Sequence, residues 1–196
     1  MISKAGPAAA NYYQLEAIIA DLSTGIIIQT PEGTLTYANQ AALELHRVAS
    51  LGELGRSSAE YQHNFRLCDL QDVPLPASAY PLERLLGGNT FDDLMLKVFI
   101  ADEWRVHQCR SISVRDPGGN PEFYALIIED ESERYDAEQR FERTFTANPG
   151  ASLISRLSDL RYIKVNRAFL EMTGFKREEI IGRTAYEFDV LSGVEA

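Results

Sequence analysis

The first periodic pattern in the chain is a stripe of apolar residues at helical spacing: Tyr12, Leu15, Ile19 and Leu22. Steps of three and four residues place these side chains on one face, so the sequence predicts a helix over residues 11–22. Residues 1–10 lack any such pattern and are predicted to be a disordered leader. A short amphipathic helix needs an apolar surface to cover. We expect the stripe to form part of a homodimer interface; the alternative is that it packs on the sheet of its own domain.

A strand, a turn and a second strand follow the stripe. The consecutive residues Ile26–Ile28 predict a buried strand, because β-branched side chains suit a pleated sheet. Pro31–Gly33 has the composition of a tight turn, and Thr34–Ala38 is the predicted partner strand. Asn39 then stands at the predicted N-cap of a helix, where its side chain can accept a hydrogen bond from a free backbone N–H.

Further along, the pattern predicts a short helix from Pro81 and then three antiparallel strands. These strands are predicted over Leu94–Ile100, Trp104–Val114 and Phe123–Ile128. Prolines at positions 74 and 76 limit any strand within Phe65–Pro76 to the edge of a sheet. This order of elements predicts an α+β domain over residues 11–130.

Alternation along the middle strand assigns its residues to two faces. One face carries Trp104, Val106, Ile112 and Val114, and it is interrupted by Gln108 and Arg110. If this face turns inward, the two polar side chains project into the domain and can bind an anionic or polar ligand. Trp104, Leu43 and Phe91 are then the candidate apolar lining. The alternative is that the face is partly exposed, or that Arg110 pairs with a carboxylate.

Residues 131–147 have the pattern of a helix that connects two domains. The stretch from Glu129 to Arg143 holds seven acidic residues and three arginines, with large apolar residues at helical spacing. We therefore predict an amphipathic connector helix here, and not a flexible linker.

The chain repeats itself at a shift of 127 residues. The stretch Gly33–Leu45 aligns without a gap on Leu160–Met172, within the string DLRYIKVNRAFLEM that begins at Asp159. Seven of the 22 positions from Asn39 to Glu60 are identical to their counterparts, where average composition gives about one or two. The same shift places Phe145 on Ile18. We predict a second module over residues 148–196 that holds the first half of the domain, and we expect the counterparts of the three meander strands beyond residue 196.

Charge and composition argue against several classes of partner. The net charge of −10 and the pI near 4.8 argue against nucleic acid, which requires a basic face. No apolar run approaches the roughly 18 residues of a membrane span, so we expect no membrane contact by this segment. Cys68 and Cys109 have neither metal-ligand nor redox-motif spacing. We expect both to be buried thiols in a reducing, cytoplasmic compartment.

Catalytic and metal-binding motifs are not found in the sequence. His46, His63 and His107 are scattered, without the spacing of a metal or acid–base site. We expect His46 to cap a helix end and His107 to lie on a strand. Gly118 and Gly119 fall in a predicted hairpin turn, which is not the context of a phosphate-binding loop. The sequence therefore predicts no enzymatic activity for this chain.

Three strings in the sequence resemble the PAS domain family. VNRAFLEMTGFKREEIIGRT resembles the first half of such a domain. LQDVPLPASAYPLERLLGG resembles a segment common before the meander, with Asp72 where glycine is usual. IIEDESERYDAEQRF resembles the exit motif, with Glu131 in place of isoleucine. The resemblance implies a PAS fold: a five-stranded antiparallel sheet flanked by short helices, then a helical linker to a partial second PAS unit.

The resemblance also bears on cofactors. Flavin-binding LOV members carry a reactive cysteine just after the Gly-Arg position, and Gly55–Glu60 has none. Heme-binding members carry a histidine on the helix before the meander, and PLERLLGG has none. Neither cofactor is expected, whereas an unidentified small molecule stays open as a ligand.

The function implied by the resemblance is sensory signal transduction. Such a segment relays a ligand- or partner-induced change to a downstream effector in the same parent chain, here a histidine kinase of a two-component system. Asp130 matches the aspartate of the exit motif and is the expected coupling residue. Two alternatives remain: a constitutive dimerisation module without ligand, and a regulatory segment of a cyclic-dinucleotide enzyme or transcription activator.

Overall fold

The computed structural model of the chain describes residues 23–187. The predicted leader, the predicted helix over residues 11–22 and its stripe Tyr12, Leu15, Ile19 and Leu22 lie outside the described residues. The described part falls into two units, the first ending at Glu133 and the second beginning at Arg134. Within residues 23–187, no helix is long and apolar enough to cross a membrane.

The first unit is an antiparallel sheet with short helices on one face. Its strands are β1 (Gly25–Gln29), β2 (Leu35–Ala38), β3 (Arg66–Cys68), β4 (Leu94–Ile100), β5 (Glu103–Arg115) and β6 (Pro121–Asp130). Its helices are α1 (Gln40–Leu45), α2 (Leu51–Leu54), α3 (Ser58–Asn64) and α4 (Pro81–Leu86), with a 3₁₀ turn at Ala77–Ala79. The strand order is β2-β1-β6-β5-β4-β3. The predicted α+β class and antiparallel meander are confirmed.

The sheet has six strands, so the predicted number of five is wrong. The additional strand is β3, which pairs with β4 at the edge of the sheet. Pro74 follows it, and proline removes a backbone donor that an interior strand needs. The short β3 therefore occurs at an edge, the one place where the sequence allowed a strand.

The core of the first unit lies between the inner face of the sheet and the helices. Ile27, Leu96 and Leu126, from three different strands, are almost completely buried there. Leu82 and Leu85 of α4 are fully buried against the same cluster. Because successive strand residues point to opposite faces, the neighbours of these strand residues form the outer face of the sheet.

The second unit begins with most of the long helix α5 (Ser132–Ala147). It continues through β7 (Leu153–Ser155), β8 (Tyr162–Val165), α6 (Arg167–Thr173), α7 (Arg177–Ile180) and a 3₁₀ turn at Ala185–Glu187. The strands β7 and β8 form a two-stranded antiparallel sheet. Four side chains form its buried cluster: Tyr162, Val165, Phe169 and Ile180.

The two units share a hairpin with the same irregularity. In the first, Ile28 pairs with Tyr37 and Gln29 with Leu35; in the second, Ile154 pairs with Lys164 and Ser155 with Tyr162. Five residues link the paired strands in the first unit and six in the second. The shift between the copies is therefore 126 residues on β7 and 127 on β8, a gap that the sequence alignment did not contain.

Candidate functional site

A buried polar cluster lies between the helices and the inner face of the first sheet. It consists of His46 at the C-cap of α1, Tyr61 of α3 and His107 of β5. Nδ1 of His46 lies 2.7 Å from the carbonyl oxygen of Ala42. Since a carbonyl oxygen only accepts, Nδ1 carries the hydrogen and Nε2 accepts from the Tyr61 hydroxyl at 3.0 Å. The prediction that His46 caps a helix end is confirmed.

Burial keeps the groups of this cluster uncharged. Loss of solvation lowers the pKa of His46 to about 4. Burial, and secondarily the nearby His46, lowers the pKa of His107 to about 3. Burial raises the pKa of the neighbouring Cys109 thiol to about 12 and that of the Tyr61 hydroxyl above its ordinary value. At neutral pH the cluster can therefore exchange hydrogen bonds but offers no charge and no thiolate nucleophile.

His107 holds the polar atom of this cluster that is left without a partner. The residue is 1% exposed, and its ring meets that of His46 edge-on at 5.6 Å between centroids. Its Nε2 is buried and has no hydrogen-bond partner within the described part of the chain. The sequence placed His107 correctly on a strand but missed its burial. The available signal was its alternation with Cys109, a residue type that is usually buried.

Gln108 and Arg110 lie on the outer face, so the prediction that they project into the interior is wrong. Cys109 pairs with the buried Ile128 on the inner face, whereas Gln108 and Arg110 pair with Glu129 and Ile127 outside. Of the apolar residues that suggested an inward face, Trp104 and Ile112 are 46% and 44% exposed, whereas Val106 is buried on the outer face beside the start of α5. The two polar side chains do border a surface depression of about 110 Å³, together with Asp92, Ile127 and Glu129. Their role in binding a ligand stays a prediction.

The other predicted pocket residues do not converge with this pair. Trp104 is 46% exposed on the outer face and packs on Phe99 at 5.2 Å between ring centroids. Phe91 is buried in the core, where the Arg84 guanidinium lies 4.7 Å from its ring centroid. Leu43 is half-buried against the same core. The five residues therefore do not form one interior site.

The junction between the first unit and α5 is held by hydrogen bonds to β5. Asp130 Oδ1 accepts from the Ser132 backbone N–H at 2.9 Å, and its Oδ2 lies 3.6 Å from the Arg105 guanidinium. The Val106 backbone N–H donates to Ser132 Oγ at 2.9 Å, and the Val106 carbonyl accepts from the Glu131 N–H at 2.9 Å. Asp130 thus contacts both the start of α5 and the basic side chain of Arg105. Its role in signal coupling stays a prediction.

A metal site is not formed by the residues that the structure describes. Among them, no group of three histidine, cysteine, aspartate or glutamate side chains is arranged to hold an ion. Cys68 and Cys109 are both buried free thiols, as predicted. The interior polar cluster and the adjacent junction are therefore the candidate functional sites of the first unit.

Two sequence profiles of the PAS domain match the chain, one over residues 13–76 and the other over residues 149–189. Together they cover more than half of the 196 residues. None of the curated protein sequences that were compared matches significantly.

Solved structures with a similar fold include an RNA-binding light-oxygen-voltage receptor, with 20% identity and a TM-score of 0.54. That alignment covers 73% of this chain but only 39% of the receptor chain. The PAS domain of an HTR-like protein from Haloarcula marismortui aligns with 18% identity, 63% and 93% coverage and a TM-score of 0.45. A PAS domain from a two-component sensor histidine kinase aligns with 10% identity, 63% and 98% coverage and a TM-score of 0.43. The first likeness supports the fold alone.

Proposed function

Because the chain belongs to the PAS domain family, whose members are generally non-catalytic sensory modules, we propose that its first unit senses a signal and passes it to α5. The input is proposed to act at the buried cluster of His46, Tyr61 and His107. The output is proposed to be a change in how the first turn of α5 is held against β5. The chain itself performs no catalysis in this proposal.

Two adjacent residues of β5 carry the argument for this relay. Val106 binds the start of α5 through both its N–H and its carbonyl group. His107, the next residue, points to the opposite face and into the polar cluster. A displacement of His107 therefore displaces the residue to which α5 is attached. Each of these hydrogen bonds contributes about 1 kcal/mol, so a similar difference between two interior states shifts the helix between two positions.

A small polar molecule is the proposed input. A buried polar atom without a partner costs about 1–3 kcal/mol, and a ligand that hydrogen-bonds His107 Nε2 removes that cost. Flavin and heme are not proposed, because the residues that hold them in similar domains are missing from this sequence. Absorbance of the purified chain from the near-ultraviolet through the visible tests this expectation. A stoichiometric flavin or Soret band contradicts it.

The relay is tested by His107→Leu, with hydrogen exchange read at the amides of the first turn of α5. We expect their exchange rates to change about fivefold, equivalent to roughly 1 kcal/mol, because the support of Val106 is altered. Ser113→Ala is the matched control. Ser113 lies on the same face of β5, and its Oγ is also buried without a partner in the described chain.

The relay is supported if His107→Leu changes the exchange of α5 and Ser113→Ala does not. If the α5 amides are unaffected by His107→Leu in a folded protein, the interior does not communicate with the helix. The first unit is then better explained as a dimerisation module that senses nothing.

The effector is proposed to be a histidine kinase domain in a longer parent chain, on the resemblance of the exit motif. Asp130 is the proposed coupling residue because it contacts both the helix start and Arg105. Asp130→Ala should cost on the order of 1 kcal/mol of stability while abolishing signal-dependent output of the parent protein. A normal response of the variant would contradict this role and would show that Asp130 is an ordinary surface carboxylate.

A further inference from the structure

The depression on the outer face of the first sheet brings together opposite charges that are not paired with each other. It has a volume of about 110 Å³ and is lined by Asp92, Gln108, Arg110, Ile127 and Glu129. Within residues 23–187, the side chains of Asp92, Arg110 and Glu129 form no hydrogen bond or ion pair. The depression therefore presents one guanidinium and two carboxylates that are available to a ligand.

The pairing of the strands fixes where these charges stand. Gln108 of β5 pairs directly with Glu129 of β6, and Arg110 pairs directly with Ile127. Arg110 and Glu129 are therefore diagonal neighbours, and such residues are about 7–8 Å apart. Asp92 precedes β4, the strand on the other side of β5. Arg110 thus stands between two carboxylates, one toward each neighbouring strand, at separations that a small molecule can bridge.

The charge around the depression is negative overall. Asp93 accepts a hydrogen bond from Gln108 Nε2 at 2.8 Å and adds a third carboxylate beside the two in the lining. Three carboxylates against one guanidinium attract a ligand that has more cationic than anionic groups. Ile127 is half-buried in the lining and provides an apolar contact for a carbon chain. A molecule with one carboxylate, two ammonium groups and methylene groups between them matches this set of side chains.

We propose that this depression binds a free basic α-amino acid such as lysine. The carboxylate of the ligand pairs with the Arg110 guanidinium, which can donate two parallel hydrogen bonds to it. Its two ammonium groups pair with the carboxylates of Asp92 and Glu129, and its methylene chain lies along Ile127. Because ion pairs at an exposed surface contribute little, we expect a dissociation constant on the order of 1 mM. This site is independent of the relay proposed above, since its side chains lie on the opposite face of the sheet from His107.

The test is a titration of the full chain with L-lysine at constant pH and ionic strength, followed by the NMR shifts of the backbone amides. We expect saturable shifts centred on residues 108–110 and 127–129. The compound 1,5-diaminopentane, which is lysine without its carboxylate, should bind about fivefold more weakly. Arg110→Gln should weaken the binding of lysine by about the same factor and leave that of the diamine unchanged. Glu129→Gln should weaken the binding of both compounds, because both carry the ammonium groups.

The matched controls are Arg115→Gln and Glu122→Gln, which remove the same charges from exposed positions of β5 and β6 outside the depression. Both should leave the affinity for lysine unchanged. A loss of lysine binding in Arg110→Gln, with the diamine and the controls unaffected, supports the site. Equal weakening of lysine and the diamine by Arg110→Gln overturns it, because Arg110 then does not bind the carboxylate. Shifts that do not saturate, or that the controls reduce equally, also overturn it, since they show only general attraction of cations to an acidic protein.

Discussion

The two units open with the same set of hydrogen bonds around one asparagine. Asn39 Oδ1 accepts from the backbone N–H groups of Ile26 at 2.8 Å and Ala42 at 2.9 Å. Asn166 Oδ1 accepts from Ser152 and Phe169, both at 2.9 Å. Each side chain also donates back to a carbonyl before the first strand, Thr24 in one unit and Gly150 in the other. One side chain thus ties the strand entry to the start of the following helix in both units.

What differs is the amount of core behind this shared opening. Eighteen side chains form the buried cluster of the first unit within the described residues, and four form that of the second. The second unit leaves Leu153, Ile163 and Met172 each at least 40% exposed. The comparison shows that the hairpin and its asparagine are held by hydrogen bonds between residues close in sequence. A short segment can form these hydrogen bonds by itself. Stability depends on burial, which needs the additional strands.

The largest expected difference is in hydrogen exchange. We expect the amides of β1 and β6 to exchange at least roughly 1,000-fold more slowly than those of β7 and β8, a difference of about 4 kcal/mol. The reason is that each fully buried apolar side chain contributes about 1.5–3 kcal/mol before entropy is subtracted, and the first unit has many more. Equal protection of the two sheets would mean that another surface buries the exposed apolar side chains of the second unit. The difference in core size would then not determine the difference in stability.

The next largest expected difference is in acid sensitivity: low pH should lower the stability of the first unit more than that of the second. All three histidines of the chain lie in the first unit. The depressed pKa of His46 means that the unfolded state binds a proton between about pH 6.5 and pH 4 while the folded state does not. The stability contributed by this group is therefore full above pH 6.5 and falls as the pH drops toward 4, by up to about 3–4 kcal/mol at about 1.4 kcal/mol per pKa unit. Urea unfolding at pH 7 and pH 4.5 measures the loss.

The variant His46→Gln isolates this contribution. We expect it to be less stable at pH 7, because the Tyr61 hydroxyl loses its acceptor, but to show a smaller loss between pH 7 and pH 4.5. His63→Gln is the control, since His63 is exposed on α3, and it should leave the pH dependence unchanged. The same steep dependence in His46→Gln would show that other groups, the buried His107 or the carboxylates, dominate the acid response.

Loss of the shared asparagine should affect the units unequally. Asn39→Ala and Asn166→Ala each remove hydrogen bonds to buried backbone groups, at a cost of about 2 kcal/mol. The first unit is expected to remain folded with a lower melting temperature. The second, with its small core, is expected to lose exchange protection in β7 and β8. Gln40→Ala, at the exposed residue beside Asn39, is the control. Equal tolerance of both changes would contradict the difference in stability argued above.

The sequence predicted most of the elements because their signals are local. The stretches over β4, α4 and α5 have strong periodicity or capping residues, and the structure places these elements within a residue or so of their predicted bounds. The orientation of β5 was not predictable in the same way. Alternation separates two faces but does not say which turns inward, and here the inner face carries His107, Cys109 and Ser111. The partners His46 and Tyr61 come from distant helices, so only the tertiary structure brings the cluster together.

The smallest expected effect concerns the residue after α1. Arg47 has a φ of 53°, a left-handed conformation, and the corresponding residue after α6 is Gly174 with a φ of 73°. A side chain in this conformation costs about 1 kcal/mol relative to glycine. Arg47 also pairs with Glu103, but both side chains are more than 40% exposed, and such a pair contributes roughly 0–1 kcal/mol. We therefore expect Arg47→Gly to raise the stability of the first unit slightly, by no more than about 1 kcal/mol.

The variant Arg47→Ala separates the two terms, because it removes the ion pair but keeps a Cβ in the left-handed conformation. The difference in unfolding free energy between Arg47→Gly and Arg47→Ala should then equal the backbone term alone, about 1 kcal/mol in favour of glycine. Gly174→Ala should lower the stability of the second unit by the same amount, since a Cβ there meets no other atom within 4 Å and the cost is one of conformation only. Equal differences at the two sites would show that the helix ends are equivalent in both copies. A clear inequality would show that the backbone conformation costs differently at positions 47 and 174 and that the repeat does not extend to this turn.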